Sequence, residues 1–178
     1  MTALPWVWGA TDAELAATYP SERFVGPGAA RVIRAVDTTA DAASMYAWLC
    51  QIRRAPYSYD LLDNRGRRSP RTLDPALVDL EIGQTFSGVF SLVDFVQDES
   101  ITLVTKPGRP SKLFGRLAMT YAWRPGEAHN RLVGVIDLPV TGRIAPSARR
   151  WLLAWGDLPM MRKQLLVLSG LAESTSYD

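Results

Sequence analysis

The stretch from Asp157 to Ala172 constrains the fold of this 178-residue chain more than any other segment. Its apolar residues recur at steps of three and four, which places them on one stripe of an α-helix. These residues are Leu158, Met161, Leu165 and Leu168. Asp157 and Pro159 favour a first helical turn, so the helix is predicted to begin there. At ~1.5 Å per residue it forms a rod of about 24 Å, long enough to cross a β-sheet.

A separate helix is predicted just before the terminal one, from Ala145 to Trp155. Gly156 and Pro159 lie between the two apolar patterns. Glycine is conformationally free and proline removes a helical hydrogen bond, so this junction is expected to bend or break a continuous helix.

Alternating apolar and polar residues before these helices predict an antiparallel sheet. The clearest alternation runs from Lys112 to Arg124, where every second side chain is apolar. A strand with one polar face is typical of antiparallel sheets that have one side in water. Other strands are predicted at Arg31–Asp37, Gln84–Val96, Ser100–Lys106 and Leu132–Val140, with a short one near Leu77–Ile82.

Two short helices are predicted after the first strand. Thr38 and Asp41 fit a capping box, which predicts a helix that continues to about Arg53. Pro56 ends it, and Tyr57–Asn64 predicts a second, shorter helix. Residues 1–28, rich in Trp, Pro and Gly, are interpreted as an N-terminal arm that packs on a single domain formed by residues 29–178.

The composition narrows the functional classes. A net charge of +2 gives no bulk attraction for nucleic acid, and no recognition helix is legible, so no nucleic-acid partner is expected. No apolar run approaches the roughly 18 residues of a membrane span, so no membrane insertion is expected. The only cysteine, Cys50, is typical of a reducing cytoplasm. The only histidine, His129, leaves no ligand set for a His-based metal site, and no metal is predicted.

Several short motifs resemble one protein superfamily. They are Trp8-Gly9-Ala10-Thr11, Trp48-Leu49-Cys50-Gln51, Tyr57-Ser58-Tyr59-Asp60, Leu62-Asp63-Asn64, Arg67 with Ser69, and Trp155-Gly156-Asp157-Leu158 with Met161-Arg162. With the element order, they resemble the SRPBCC superfamily (START/helix-grip, pollen-allergen-like), in its actinobacterial polyketide cyclase-like branch. The resemblance implies an α+β helix-grip fold, in which a curved antiparallel sheet wraps around a long C-terminal helix.

The same resemblance implies a hydrophobic small-molecule ligand in an internal cavity. Two functions stay open at this point. One is a polyketide cyclase- or aromatase-like enzyme that needs no cofactor, and the other is a non-catalytic carrier or sensor. An interaction module with a filled core is a third, weaker hypothesis.

Acid–base candidates come from a polar and aromatic cluster and from one strand. Tyr57, Tyr59 and Asp60 belong to the cluster, where a phenol can orient a carbonyl and a buried carboxyl can act as a base. The alternative is structural: these residues fasten the short helix to the domain and cap its ends. Asp94 shares a strand face with Phe90 and Leu92, and if that face is concave it is a buried carboxyl that can act as an acid or base. A bulge in the strand would instead point its side chain towards solvent.

Residues predicted to line the cavity are apolar or aromatic and come from the strands and the terminal helices. They are Phe90, Leu92, Leu117, Met119, Tyr121, Trp123, Trp155, Met161 and Leu165. Core packing is the alternative for each of them.

The stretch Arg53–Arg71 carries six arginines and two aspartates, a net charge of +4. It could receive a phosphate, a carboxylate or the acidic surface of a carrier protein, or it could simply be a solvated loop.

Overall fold

A computed structural model describes residues 3–59, 68–140 and 146–175. The strands are β1 (Val7–Trp8), β2 (Ala30–Thr38), β3 (Thr85–Phe86), β4 (Phe90–Val96), β5 (Ser100–Thr105), β6 (Ala118–Arg124) and β7 (Asn130–Leu138). The α-helices are α1 (Asp12–Ala16), α2 (Ala42–Cys50), α3 (Arg109–Phe114) and α4 (Pro146–Glu173), and short 3₁₀ helices cover Pro20–Phe24, Gln51–Arg53 and Pro75–Leu77.

The described strands form one curved sheet in the order β1-β2-β7-β6-β5-β4-β3. All neighbouring pairs are antiparallel except β1 and β2, which run parallel. Together with the long C-terminal helix α4, this confirms the predicted α+β helix-grip fold. The division into an arm and a domain stays a prediction; within the first 28 residues, β1 extends the edge of the sheet.

Helix α4 packs directly on the sheet through its apolar stripe. Leu165 and Leu168 are fully buried, and Met161 is nearly so. Gly134 of β7 makes this close approach possible, because a Cβ atom there would lie 2.8 Å from Met161 Sδ. The terminal stripe read from the sequence is therefore the face that closes the core.

The prediction of two separate terminal helices is wrong, because α4 is continuous from Pro146 to Glu173 and contains Pro159. Proline cannot donate to the carbonyl four residues earlier, so the helix loses one bond at this turn. Arg34 Nη2 donates to the adjacent Ala154 carbonyl at 3.2 Å, and Ala154 is itself buried in the core. The helix continues past Pro159 with these tertiary contacts in place, and Asp157 therefore lies inside the helix and not at its start.

Two other predicted boundaries are corrected near turn residues. The predicted strand Lys112–Arg124 begins only at Ala118, because Arg109–Phe114 is the helix α3. Gly108 and Gly115, both with positive φ, bound that helix. The predicted strand Gln84–Val96 is interrupted, since Ser87 and Gly88 also have positive φ and form a turn between β3 and β4.

Helix α2 begins differently from the predicted capping box. Asp41 is its N-cap and accepts a hydrogen bond from the Ser44 N–H at 2.7 Å, whereas Thr38 ends β2. The predicted second short helix begins at Tyr57, whose φ of 55° is not helical, and its residues 60–64 lie outside the described residues. The short strand predicted near Leu77–Ile82 is absent from the described chain there, which instead has the 3₁₀ helix at Pro75–Leu77.

We expect Leu165→Ala to lower the free energy of unfolding by about 2–5 kcal/mol, because it leaves a cavity at the centre of the helix–sheet contact. The neighbouring residue Leu166 is 49% exposed, so Leu166→Ala provides a matched control with a much smaller effect. Urea denaturation followed by circular dichroism measures both. Equal losses for the two variants would contradict the packing described for α4.

Candidate functional site

A pocket of about 420 Å³ opens where the segment after α2 meets helix α4. Two stretches of chain and one helical face supply its walls. The lining residues are Tyr57, Ser58, Arg68, Ser69, Arg71, Lys163 and Val167. Lys163 and Val167 are four residues apart on α4 and so share one face. The pocket therefore lies beside the element that closes the core.

Tyr57 is the most constrained residue of the pocket. It is only 1% exposed, and its ring meets the Trp48 ring edge-on at 5.9 Å between centroids. Its φ of 55° is in the left-handed region, which costs a non-glycine residue of order 1 kcal/mol or more. The edge-on packing against Trp48 helps to hold it in this conformation. Strain of this kind is concentrated at functional sites, and here it fixes a phenol at the pocket wall.

Three cationic side chains line the same pocket: Arg68, Arg71 and Lys163. Lys163 Nζ lies 4.1 Å from the centroid of the Tyr59 ring, a cation–π contact that positions the ammonium group. Within residues 3–59, 68–140 and 146–175, no carboxylate forms an ion pair with any of the three. Among the described residues, the lining contains no acidic side chain, so these residues give the pocket wall a positive charge.

A chain of two hydrogen bonds runs across the interior beside the pocket. The Tyr121 hydroxyl of β6 donates to Gln164 Oε1 at 2.6 Å, and Gln164 Nε2 donates to the Pro56 carbonyl at 2.6 Å. Burial raises the pKa of Tyr121 far above its ordinary value, so the phenol keeps its proton. The bridge ties the sheet, α4 and the backbone just before Tyr57 to one another.

An ionic contact between buried Arg34 and partly buried Asp157 lies where Pro159 interrupts the hydrogen bonding of α4. Arg34 is fully buried, and its guanidinium donates to the carbonyls of Pro5, Trp6, Ile33 and Ala154. Asp157 Oδ2 lies 3.7 Å from Arg34 Nη2, too far for a hydrogen bond. Desolvation of the carboxyl raises the pKa of Asp157 to about 7, although Arg34 opposes the shift. Asp157 is thus a carboxyl that can change charge near neutral pH.

The structure separates Asp94 from the two predicted tyrosines. Tyr57 lines the pocket, and Tyr59, which is 38% exposed, contacts the lining residue Lys163. Asp60 lies outside the described residues. Asp94 forms an ion pair with Arg23 away from the pocket, because a bulge between Leu92 and Asp94 changes the face to which it points. The catalytic role of these residues stays a prediction.

The residues predicted to contact a ligand lie mostly in the packed core. Six are buried: Leu92, Leu117, Met119, Tyr121, Met161 and Leu165. Phe90 and Trp123 pack against that core while partly exposed, and Trp155 is 39% exposed. The pocket beside Tyr57 is lined by other residues, so contact of these nine with a ligand stays a prediction.

Sequence reasoning missed five residues that the structure singles out. Ser58, Ser69, Lys163 and Val167 line the pocket, and Asp157 is the partly buried carboxyl with the raised pKa. Arg68 and Arg71 were not missed, because they belong to the basic stretch Arg53–Arg71 singled out in the sequence. Lys163 and Val167 could have been found from their spacing of four on the terminal helix, but no pattern in the sequence indicates what they face.

Other site chemistries find little support in the described part of the chain. No group of three or more His, Cys, Asp or Glu side chains among its residues could hold a metal ion. Burial raises the pKa of the Cys50 thiol to about 12, which disfavours a nucleophilic thiolate. The helices of this part are also too short or too polar to cross a membrane.

Comparison with known proteins identifies the fold. Neither a family model nor a curated protein matches the sequence. Protein MLL2253 from Mesorhizobium loti is similar in structure, with a TM-score of 0.50, 12% identity and coverage of 83% of this chain and 99% of that one. The di-domain ARO/CYC StfQ from the steffimycin biosynthetic pathway has a TM-score of 0.52 and 12% identity, with coverage of 82% of this chain and 51% of that one. A protein from Arthrobacter aurescens has a TM-score of 0.51 and 10% identity, with coverage of 89% of this chain and 91% of that one.

These identities establish the fold alone. The class that the fold defines is the helix-grip class, which the chain shares with MLL2253 and StfQ. StfQ is a two-domain protein, and this chain spans about half of its length, 51%.

We expect the stability of the protein to fall as the pH rises through about 7, because the folded state favours protonated Asp157. The raised pKa means that this contribution is fully present below the ordinary carboxyl pKa of 3.8 and is lost above the folded value. Asp157→Asn stays neutral and is expected to flatten the profile between pH ~5 and ~8. Urea denaturation across this range tests it.

Asp79→Asn, which neutralises an exposed carboxyl, is the matched control and should leave the wild-type profile in place. A profile for Asp157→Asn that runs parallel to that of the wild type would contradict the assignment.

Proposed function

We propose that this protein binds a small molecule with substantial apolar surface at the pocket beside Tyr57. The pocket itself carries the proposal, since about 420 Å³ is within the roughly 300–1,000 Å³ of typical ligand sites. Its position also supports the proposal, because it lies between the segment after α2 and the long helix of a helix-grip fold.

Apolar and polar groups are combined in the pocket as ligand binding requires. Val167 packs against the core and the Tyr57 ring is buried, so both offer apolar surface. Each ~100 Å² of apolar ligand surface buried there contributes roughly 2.5 kcal/mol before ordering costs. Hydroxyl and cationic groups on the remaining walls can orient the ligand.

Catalysis of a cyclase- or aromatase-like reaction is the second candidate function. One observation favours it: the strained backbone holds the Tyr57 phenol at the pocket wall, where a phenol can orient a carbonyl or transfer a proton. The fold is similar to that of StfQ, which is described as an ARO/CYC, and this analogy also supports the catalytic candidate. A protein that carries a ligand without catalysis needs the pocket but no acid–base group in it.

We expect a neutral apolar fluorophore, N-phenyl-1-naphthylamine, to bind the wild-type protein saturably. Val167→Trp fills the pocket and should weaken this binding at least about tenfold. Val96→Trp is a matched control, because Val96 is 48% exposed and lies outside the lining. Fluorescence titration measures all three proteins. Absence of saturable binding, or equal affinity in the two variants, would overturn the proposal.

Catalysis and carriage differ in the fate of the ligand. Native mass spectrometry of the protein purified from its own organism can reveal a co-purified small molecule. Conversion of that molecule by wild-type protein, lost in Tyr57→Phe while binding is retained, is the result expected of an enzyme. Unchanged turnover in Tyr57→Phe would count against the role of this phenol.

A further inference from the structure

We infer that the ligand is amphipathic and that its anionic group, a carboxylate or a phosphate, binds at Arg68, Arg71 and Lys163. This inference rests on the proposed function, because it specifies the chemical class of molecule that the same pocket takes. It comes from three cationic side chains that line one pocket, whose described lining residues include no acidic side chain.

The charges reach the pocket from two sides. Arg68 and Arg71 belong to the segment between α2 and β3, whereas Lys163 belongs to α4. An anion between the two walls would contact groups that are otherwise held together at the cost of mutual repulsion. Its binding would relieve that repulsion as well as form charge-assisted hydrogen bonds.

The chemistry of the cations fits a carboxylate or a phosphate. Each arginine presents a planar fork that can donate two parallel hydrogen bonds to either group. Lys163 is held over the ring of Tyr59 and contributes a positioned point charge. A neutral polar ligand would leave these charges without a counter-ion in the described part of the chain.

A second pocket provides an internal comparison. It has a volume of about 400 Å³ and is lined by Thr18, Tyr19, Pro20, Glu22 and Arg23. Its two charged residues are already neutralised, since Glu22 pairs with Arg31 and Arg23 pairs with Asp94. A basic residue at a pocket wall is therefore paired there, whereas the three at the Tyr57 pocket make no ion pair with a described residue.

The walls also give the ligand a direction. The apolar surface comes from Val167 and the buried ring of Tyr57, next to the core. Arg68 and Arg71 are exposed and lie at the outer side. The apolar part of the ligand therefore points inward and the anionic end outward, an orientation that lets the charged group keep some hydration.

Four ligands of equal chain length test the inference: decanoate, decyl phosphate, decanol and decyltrimethylammonium. Isothermal titration calorimetry, performed below their micellar concentrations, is expected to show at least one anion binding about tenfold or more tightly than decanol. The cation is expected to bind most weakly. Raising the salt from ~50 mM to ~500 mM should reduce the advantage of the anion and leave decanol nearly unchanged.

Variants locate the charge effect. Lys163→Gln and Arg71→Gln are each expected to reduce the affinity for the anion about five- to tenfold without changing that for decanol. Lys163→Arg should restore most of the loss. Arg116→Gln is the matched control, since Arg116 is exposed and lies outside the lining. Circular dichroism checks that each variant is folded.

The outcomes separate this inference from the proposed function. Equal binding of decanol and both anions would overturn the inference and leave the pocket's ligand binding in place. An anion preference that persists in Lys163→Gln and Arg71→Gln but falls in Arg116→Gln would overturn it as well. Failure of all four ligands to bind would overturn both. A preference for decyl phosphate over decanoate, or the reverse, supports the inference and identifies the anionic group.

Discussion

The contact between helix α4 and the sheet is the constraint on which the rest of the structure depends. Leu165 and Leu168 are fully buried in it, and Gly134 removes the Cβ that would keep Met161 from β7. Because protein interiors are close-packed, this contact fixes the position of the helix axis to within a fraction of a side chain. This packing contact therefore determines the position of every side chain of α4, on its inner and its outer face.

The pocket is a direct product of this placement. Gln164 faces inward and is bonded to Tyr121 and to the Pro56 carbonyl, while Lys163 and Val167 lie on the adjacent helical face. The same helix thus closes the interior and supplies a wall of the pocket. The Gln164 bridge also holds the backbone immediately before Tyr57, so that packing and site geometry are coupled through a few short hydrogen bonds.

Periodicity was sufficient to predict the fold class but not the site. The apolar steps of α4 and the alternation of β6 depend on local patterning, and both were legible in the sequence. The continuity of α4 through Pro159 was not, because Gly156 and Pro159 locally favour a break, whereas Arg34, more than a hundred residues away in the sequence, contacts this part of the helix at Ala154. The direction of Asp94 stayed open for a similar reason, since one bulge in the β4–β5 ladder reverses the direction of a side chain. The charged pocket depends on contacts between distant segments, which no local pattern encodes.

Arg34 has a consequence for the very beginning of the chain. A guanidinium fully removed from water is tolerable only when oxygen atoms surround it, and two of those atoms are the carbonyls of Pro5 and Trp6. The opening residues therefore act as a solvation shell for an interior cation. A protein trimmed to begin after Trp8 would leave the Arg34 guanidinium buried without two of its carbonyl acceptors, next to the turn of α4 that Pro159 weakens. Loss of the N-terminal residues would therefore destabilise the middle of the C-terminal helix.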